Sequence, residues 1–155
     1  MTVPSPTLTA ARHGLLLADM RCYQCQALTP VAAIWMADFE EHEDGEVIDN
    51  GEAALLAYPE WLDEGVTRLI RIHAPWMRLA ATKTSGITYW ANHCQVCGAV
   101  QGDHYVGGVD GPYWPQDDEA LARLRFVRGA GPLRAAGSSS QSLWMMRVED
   151  VCRSG

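Results

Sequence analysis

Two pairs of cysteines have the spacing that allows one turn of chain to direct both thiolates at the same metal ion. Cys22 and Cys25 form the first pair, and Cys94 and Cys97 form the second. Four thiolates complete the tetrahedral shell that Zn²⁺ prefers, and a shell with no open position is structural rather than catalytic. The sequence therefore predicts one structural zinc site with these four ligands, and the same donors would also accept iron.

The pairs have three other interpretations, which the sequence leaves open. They could form disulfides, but five cysteines is an odd number, and an intracellular chain keeps its thiols reduced. One pair could be a redox dithiol of the thioredoxin type, but that motif lies where a strand meets a helix, and here both pairs follow strand-like stretches. The two pairs could also be unrelated. A shared metal accounts for both of them.

The residues around the pairs resemble a known type of metal site. A Cys-Gln-Val-Cys-Gly motif at 94–98 and a Cys-Tyr-Gln-Cys motif at 22–25 each follow an apolar stretch. Both motifs are similar to the knuckles of zinc-ribbon and rubredoxin-like proteins, in which each knuckle tops a β-hairpin and two knuckles hold one metal. The resemblance implies a split ribbon, because 68 residues separate the pairs where a simple site has about 15–20.

The first knuckle departs from this pattern in one respect, because it has Gln26 where the second has Gly98. The whole chain is also similar to small uncharacterised bacterial proteins with the same arrangement of cysteines. That similarity implies no activity.

The charge of the chain is concentrated in one segment. The net charge is −7, and no Lys or Arg occurs between Arg21 and Arg68, where eleven of the nineteen acidic residues lie. At 155 residues the chain has the length of one domain. We therefore expect a flexible tail over residues 1–11 and a single zinc-containing domain over 12–155, which carries an acidic insertion at 38–64.

The acidic segment indicates what kind of partner the protein has. It fits a protein with a basic surface, and in this hypothesis zinc holds the fold while the acids contact the partner. Trp61 and Trp114 lie near prolines in loop-like sequence, where an aromatic side chain can add contact area. The candidate partner-binding residues are Glu40, Glu41, Glu43, Asp44, Trp61 and Trp114.

Two other functions fit the same charges. The acidic segment could mimic nucleic acid and inhibit a nuclease or a DNA-binding protein. A zinc ribbon could instead bind nucleic acid directly through the six arginines beyond residue 121, although the net charge of −7 counts against this. An enzyme is less expected, because no phosphate-loop, metalloprotease or nucleophile-elbow motif occurs. The roles of Cys152, His73, His93 and His104 stay open.

The elements that must position the cysteines predict an α+β fold, mainly antiparallel sheet with zinc-ribbon-like knuckles and two short helices. Apolar and β-branched residues predict strands over 15–20, 31–39 and 66–72. A hairpin with its turn at 84–86 would deliver the second knuckle, and its outgoing strand is expected over 101–106.

The two helices are predicted over 52–58 and 117–128. The second has acids at its start, arginines at its end and Gly129 as its stop, which suits the helix dipole and a C-terminal cap. A linker rich in Gly, Ser and Ala is expected over 129–140.

The location of the protein is predicted from what the chain lacks. No apolar run approaches the roughly 20 residues that a membrane helix needs, so no membrane association is expected. The first eleven residues lack the basic start and apolar centre of a secretory signal. The expected location is the cytoplasm.

Overall fold

The computed structural model describes residues 6–81, 86–109 and 111–154. The strands in these ranges are β1 Leu8–Arg21, β2 Leu28–Glu43, β3 Glu46–Leu62, β4 Met77–Ala81, β5 Thr88–His93, β6 Val100–Gln101, β7 Arg125–Arg128, β8 Leu133–Ser140 and β9 Arg153–Ser154. The helices are α1 Glu64–His73, α2 Asp103–Val106, α3 Asp118–Ala122, α4 Val148–Val151 and a 3₁₀ helix over Leu143–Arg147. None of these helices is long and apolar enough to cross a membrane.

The long strands are hydrogen-bonded into a closed ring. β1 pairs with β2, β2 with β3, β3 with β8, and β8 returns to the first residues of β1, all antiparallel. β7 pairs with the same edge of β1 as β8 does. The two registers differ by one inserted residue, because Gly14 lies opposite Arg128 whereas Ala10 lies opposite Leu133. Such an insertion is a β-bulge, which bends the strand. After the bend, the first residues of β8 pair with β1, and the strand then leaves β1 and continues along β3.

The ring is buried on both faces, because a different core covers each face. Side chains alternate along a strand, and in β2 Ile34 points into the ring, where Val66 of α1 also lies. The neighbouring Trp35 points outward and packs with Tyr113 and Met145. Its indole N–H donates to the carbonyl oxygen of Met145 at 2.7 Å. Burial on both faces explains why β2 has a nearly continuous apolar sequence rather than an alternating one.

A second, three-stranded antiparallel sheet contains β4, β5 and β6. The buried side chain of Asn92 in β5 joins it to β2. The amide oxygen of Asn92 accepts from the N–H of Ala32 at 2.8 Å, and its amide nitrogen donates to the carbonyl oxygen of Ala32 at 2.9 Å. Because β2 pairs with β3 only from Ile34 onward, Asn92 occupies the part of that edge which β3 leaves open.

The predicted fold class is confirmed in outline, because the chain is mainly antiparallel sheet with few helices. The strands predicted at 15–20 and 31–39 lie inside β1 and β2. The described residues contain four α-helices rather than two. In the predicted hairpin turn at 84–86, residues 84 and 85 lie outside the described part of the chain.

Two elements predicted in the first half of the chain have the opposite type. Residues 52–58 belong to β3 and not to a helix, because Ala53 pairs with Ala37 and is buried in the outer core. Residues 66–72 belong to α1 and not to a strand. The Asp63 side chain caps α1 by accepting from the N–H of Val66 at 3.0 Å, and Val66 and Ile70 bury one face of the helix.

Three differences concern how far elements extend. The helix predicted over 117–128 ends at Ala122, and β7 begins at Arg125 because Phe126 and Val127 bury their side chains against opposite faces of the ring. The expected linker over 129–140 is β8 from Leu133 onward. β1 begins inside the expected tail, since Leu8 is fully buried.

The strand predicted over 101–106 is also wrong beyond its first residue. β6 ends at Gln101, and α2 occupies Asp103–Val106. Asp103 occupies the first position of α2, where a carboxylate favours a helical turn.

Candidate metal centre

Each cysteine pair sits in a tight turn at the end of a strand. Cys22 follows β1 directly and Cys94 follows β5 directly. In the first turn the N–H of Cys22 donates to the carbonyl oxygen of Ala27 at 2.9 Å, and the N–H of Gln26 donates back to the carbonyl oxygen of Cys22 at 3.0 Å. These two backbone hydrogen bonds fix the first turn without any contribution from a ligand.

The second turn repeats these bonds at equivalent positions. Cys94 donates to the carbonyl oxygen of Ala99 at 2.8 Å, and Gly98 donates to the carbonyl oxygen of Cys94 at 2.9 Å. The fifth residue of each turn has a left-handed backbone, with φ of 81° at Gly98 and 65° at Gln26. Glycine adopts this conformation without strain, whereas a residue with a side chain does so at a cost.

The four sulfur atoms converge on one point. All four lie within 4.8 Å of one another. The distance from Cys22 Sγ to Cys97 Sγ is 3.6 Å, and the distance from Cys25 Sγ to Cys94 Sγ is 3.7 Å. Zn–S bonds of about 2.3 Å at tetrahedral angles place sulfurs about 3.8 Å apart. These distances match the edges of a tetrahedral metal site, and no disulfide joins the sulfurs.

Backbone N–H groups point at the first sulfur of each pair. The Sγ of Cys94 accepts from the N–H groups of Val96 at 3.4 Å and Cys97 at 3.5 Å. The bond from Cys97 contributes most to lowering the pKa of Cys94 to about 6. For Cys22 burial raises the pKa, but hydrogen bonds from the N–H groups of Cys25 and Gln24, together with those of the Cys97 and Cys25 thiols, outweigh it, and the pKa falls below its ordinary value. The turns therefore stabilise thiolates, the form that binds metal.

The second cysteine of a pair behaves differently. The N–H of Ala99 lowers the pKa of Cys97, but burial and the three neighbouring sulfurs outweigh this and raise the pKa to about 11. Four sulfurs at this distance cannot all carry negative charge without a compensating cation. Cys22 and Cys94 are buried, whereas Cys25 and Cys97 are exposed.

Polar side chains hold the two turns against each other. Gln101 is fully buried, and its amide nitrogen donates to Cys22 Sγ at 3.4 Å and to the carbonyl oxygen of Ala99 at 2.9 Å. Its amide oxygen accepts from the N–H of Tyr23 at 3.3 Å. One side chain thus links both turns and a ligand sulfur, as residues around metal sites commonly do.

A second link comes from β2. The hydroxyl oxygen of Thr29 accepts from the N–H of Gln95 at 3.0 Å. Asn92, which is two residues before Cys94 in the chain, makes the two hydrogen bonds to Ala32 described above. The sequence interpretation did not find Gln101, Thr29 or Asn92. The Asn-x-Cys spacing before the second pair could have indicated Asn92. Nothing in the sequence indicates that Gln101 and Thr29 are buried.

Neither the candidate histidines nor Cys152 belongs to the group of converging ligand atoms among the described residues. The Nδ1 atom of His93 lies 2.9 Å from the carbonyl oxygen of Ala91, and His104 lines a cavity beside α2. His73 is half-buried in the last turn of α1. Cys152 Sγ donates to the carbonyl oxygen of Leu121 at 3.4 Å, and burial raises its pKa to about 11. A thiol with this pKa is protonated near neutral pH and is a weak nucleophile.

The candidate partner-binding residues lie in three places. Glu40, Glu43 and Asp44 are exposed on the hairpin formed by β2 and β3, and Glu41 beside them accepts from the Ser139 hydroxyl at 2.9 Å. Trp61 is half-buried at the far end of β3 from the hairpin turn, and Trp114 is 48% exposed beside the cavity. The structure groups the acids on the hairpin and places the two tryptophans on other parts of the chain, Trp61 near the end of β3 and Trp114 in the cavity wall.

Several C-terminal arginines make ion pairs. Arg123 pairs with Glu119, Arg128 with Glu149, and Arg147 with Asp118. These contacts occupy half of the six arginines that a direct nucleic-acid-binding function would use.

No known protein family, curated protein or solved structure matches this chain.

Proposed function

We propose that the protein is a binding module in which one structural zinc ion, held in zinc-ribbon-like knuckles, supports the fold and an acidic hairpin contacts a basic protein partner. The acidic hairpin is defined as residues 38–52, the paired ends of β2 and β3. The observation that carries the proposal is the convergence of four sulfurs at distances that fit a tetrahedral metal shell.

The metal fits a structural role for three reasons. The donor set is complete with four thiolates, which leaves no position for a substrate or water. The first sulfur of each pair is already buried and receives N–H bonds. The site joins the end of β1 to the end of β5, so it cross-links two sheets. Zinc is the expected metal, and iron in the same thiolate shell would be recognised by its visible absorbance.

The acidic hairpin has a tight turn and an excess of negative charge. The two turn residues have positive φ, 52° at Asp44 and 81° at Gly45. In a two-residue hairpin turn, this conformation matches the twist of the two flanking strands. Glu43 lies directly opposite Glu46, and Glu41 opposite Asp49. Like charges in such pairs destabilise a hairpin by about 0.2–1 kcal/mol each. A partner of opposite charge would relieve this repulsion between the acidic side chains, and the relief would favour binding.

The hairpin also offers apolar contact at its tip. Val47 and Ile48 are 46% and 53% exposed beside the acids. Among the described residues of the hairpin, Asp38 makes an ion pair, with Arg12 at 2.7 Å. Exposed apolar groups surrounded by unpaired charge favour a protein partner over a purely ionic ligand.

Metal content is tested first. Native mass spectrometry of the full chain should show one zinc ion per chain, and Cys94→Ser should lose it. Cys152→Ser is the matched control, because it removes a thiol outside the cluster and should keep the metal. A metal-free wild type with native tertiary structure would contradict the structural role.

Partner binding is tested by charge reversal. Glu40→Lys, Glu43→Lys and Glu46→Lys together should abolish capture of a specific basic protein from the host, with thermal stability unchanged or raised. The control reverses three exposed acids outside the hairpin that form no ion pair with any described residue, Asp19, Glu60 and Asp150, and changes the net charge equally. Equal loss of capture in both variants would contradict a hairpin interface. Competition by nucleic acid for the captured protein would identify the hairpin as a nucleic-acid mimic.

A further inference from the structure

A cavity of about 410 Å³ lies outside both the metal centre and the acidic hairpin. It is bounded by β3 and β8 on one side and by α2 and Trp114 on the other. Its wall is mostly apolar and includes Leu55, Val106 and Met145. Small-molecule sites commonly have this size, with a mainly apolar wall and a few fixed polar groups.

One carboxylate faces this cavity from a fixed position. Asp103 is largely buried, and its Oδ2 atom accepts from the N–H of Tyr58 at 2.7 Å. The N–H of Asp103 in turn donates to the hydroxyl of Tyr89 at 2.9 Å. Both ends of the residue are therefore held, which keeps the carboxylate directed at the same place.

This carboxylate has no permanently charged cation beside it in the cavity wall. Neither Lys nor Arg lines the cavity, His104 is the wall residue that can carry a positive charge, and no described residue forms an ion pair with Asp103. Burial raises the pKa of Asp103 to about 6, so it is ionised at neutral pH in an environment that penalises charge. A carboxylate can accept about four hydrogen bonds, and the Tyr58 N–H supplies one of them.

Around the carboxylate are groups that suit a cation. The hydroxyl-bearing residues Ser138, Ser140 and Ser142 line the cavity, and a hydroxyl can accept from an ammonium N–H. Trp114 lines it with a half-exposed ring, and the face of an indole attracts an organic cation. An anionic ligand would be repelled by Asp103, and a single carboxylate is too small a ligand set for a divalent metal.

We propose that this cavity binds a small organic ammonium compound, with its cationic group at Asp103 and its apolar body against the wall formed by Leu55, Val106 and Met145. The charge of the ligand compensates the carboxylate, and its apolar part fills space that the side chains leave open. The proposal does not depend on the function suggested for the acidic hairpin, since no residue of that hairpin lines the cavity.

The experiment uses the metal-loaded full chain at pH 7.5 and matched pairs of probes. Butylamine, phenethylamine and tryptamine are titrated against the alcohols of the same shape, and against phenylacetate, by calorimetry and amide NMR. At least one amine should bind saturably and at least tenfold more tightly than its alcohol, with shifts at Tyr58, Asp103 and Trp114. Phenylacetate should not bind.

Two variants locate the binding. Asp103→Asn should weaken the amine at least tenfold while the Tyr58 amide signal keeps its hydrogen-bonded position, because the asparagine oxygen can accept the same bond. Ala33→Leu leaves the carboxylate intact and reduces the cavity from the β2 side, so it should also weaken binding. Asp150→Asn, an exposed change elsewhere, is the control and should bind as the wild type does.

Three results would overturn the proposal. They are the absence of saturable binding by all three amines up to about 10 mM, equal affinity of an amine and its alcohol, and amine binding that survives Asp103→Asn. Binding of phenylacetate would assign the cavity to a different ligand class.

Discussion

Replacement of Asp103 by Asn is expected to stabilise the protein, and to do so more at pH 8 than at pH 5. The carboxylate faces a cavity with the Tyr58 N–H as its donor, at 2.7 Å. Burial raises its pKa from 3.8 to about 6, because removal from water penalises the charged form. An asparagine keeps an oxygen for the Tyr58 N–H and carries no charge to desolvate.

The sign follows from proton linkage. Folding raises the pKa, so the folded protein binds the proton more tightly than the unfolded chain does. The stability contributed by this group is full below pH 3.8 and is lost as the pH rises through about 6. With these two values the wild type has lost about 1.6 kcal/mol at pH 5 and about 3 kcal/mol at pH 8. The difference between variant and wild type should therefore grow by about 1.4 kcal/mol over this interval.

Urea denaturation of the metal-loaded proteins at pH 5, 6, 7 and 8, followed by tryptophan fluorescence, measures this difference. Groups common to both proteins that do not interact with Asp103 cancel when the two unfolding free energies are subtracted, so His104 and Tyr113 in the cavity wall are the titratable groups that could still differ. Asp150→Asn is the control, and its difference from wild type should be flat over the same pH range. A flat or falling difference for Asp103→Asn would refute the conclusion that the cavity holds a destabilised carboxylate.

Three further substitutions test individual contacts. Gln26→Gly should stabilise the first turn by up to about 1 kcal/mol and tighten metal binding in a chelator competition, because φ is 65° there; weaker metal binding would contradict this. Gly129→Ala should destabilise by about 2 kcal/mol or more in urea, because a Cβ would lie 2.2 Å from His13 Nε2, and His13→Ala in the same chain should recover part of the loss. Glu46→Lys should stabilise by about 0.5 kcal/mol by replacing repulsion with attraction to Glu43, and reversal of both residues should return the hairpin to wild-type stability.

The cysteine cluster could be predicted from sequence because its signal is local. Each pair needs only two residues between its cysteines, and a tight turn of that length brings both sulfurs to one side. The meeting of the two pairs depends on contacts between residues far apart in the sequence, and the buried side chains of Asn92 and Gln101 make some of these contacts. Asparagine and glutamine are common at surfaces, so nothing in the sequence distinguishes these two from exposed residues.

The wrong secondary-structure assignments have a common physical cause. The alanines and leucines of 52–58 favour helix by intrinsic propensity, but Ala53 and Leu56 each lie opposite a residue of β2 and are buried on opposite faces of β3. Propensity differences of a few tenths of a kcal/mol are smaller than the free energy of such burial. In α1 the reverse holds, because β-branched Val66 and Ile70 suggested a strand while their four-residue spacing buries one helical face.

The segment between the two cysteine pairs is part of the main domain in the structure, whereas the sequence suggested an insertion into a small metal-binding unit. A split ribbon implies a small metal unit interrupted by an insertion, but the intervening residues include β2, β3 and α1, which form half of the ring and supply part of its inner core. A metal bound by the four sulfurs would therefore close a loop of about 70 residues that contains much of the domain. By the chain-entropy argument used for cross-links, a closure of that length is worth about 4 kcal/mol. Removal of the metal should accordingly lower the stability of the ring itself, at residues such as Trp35 in β2, and not only loosen the two turns that bind it.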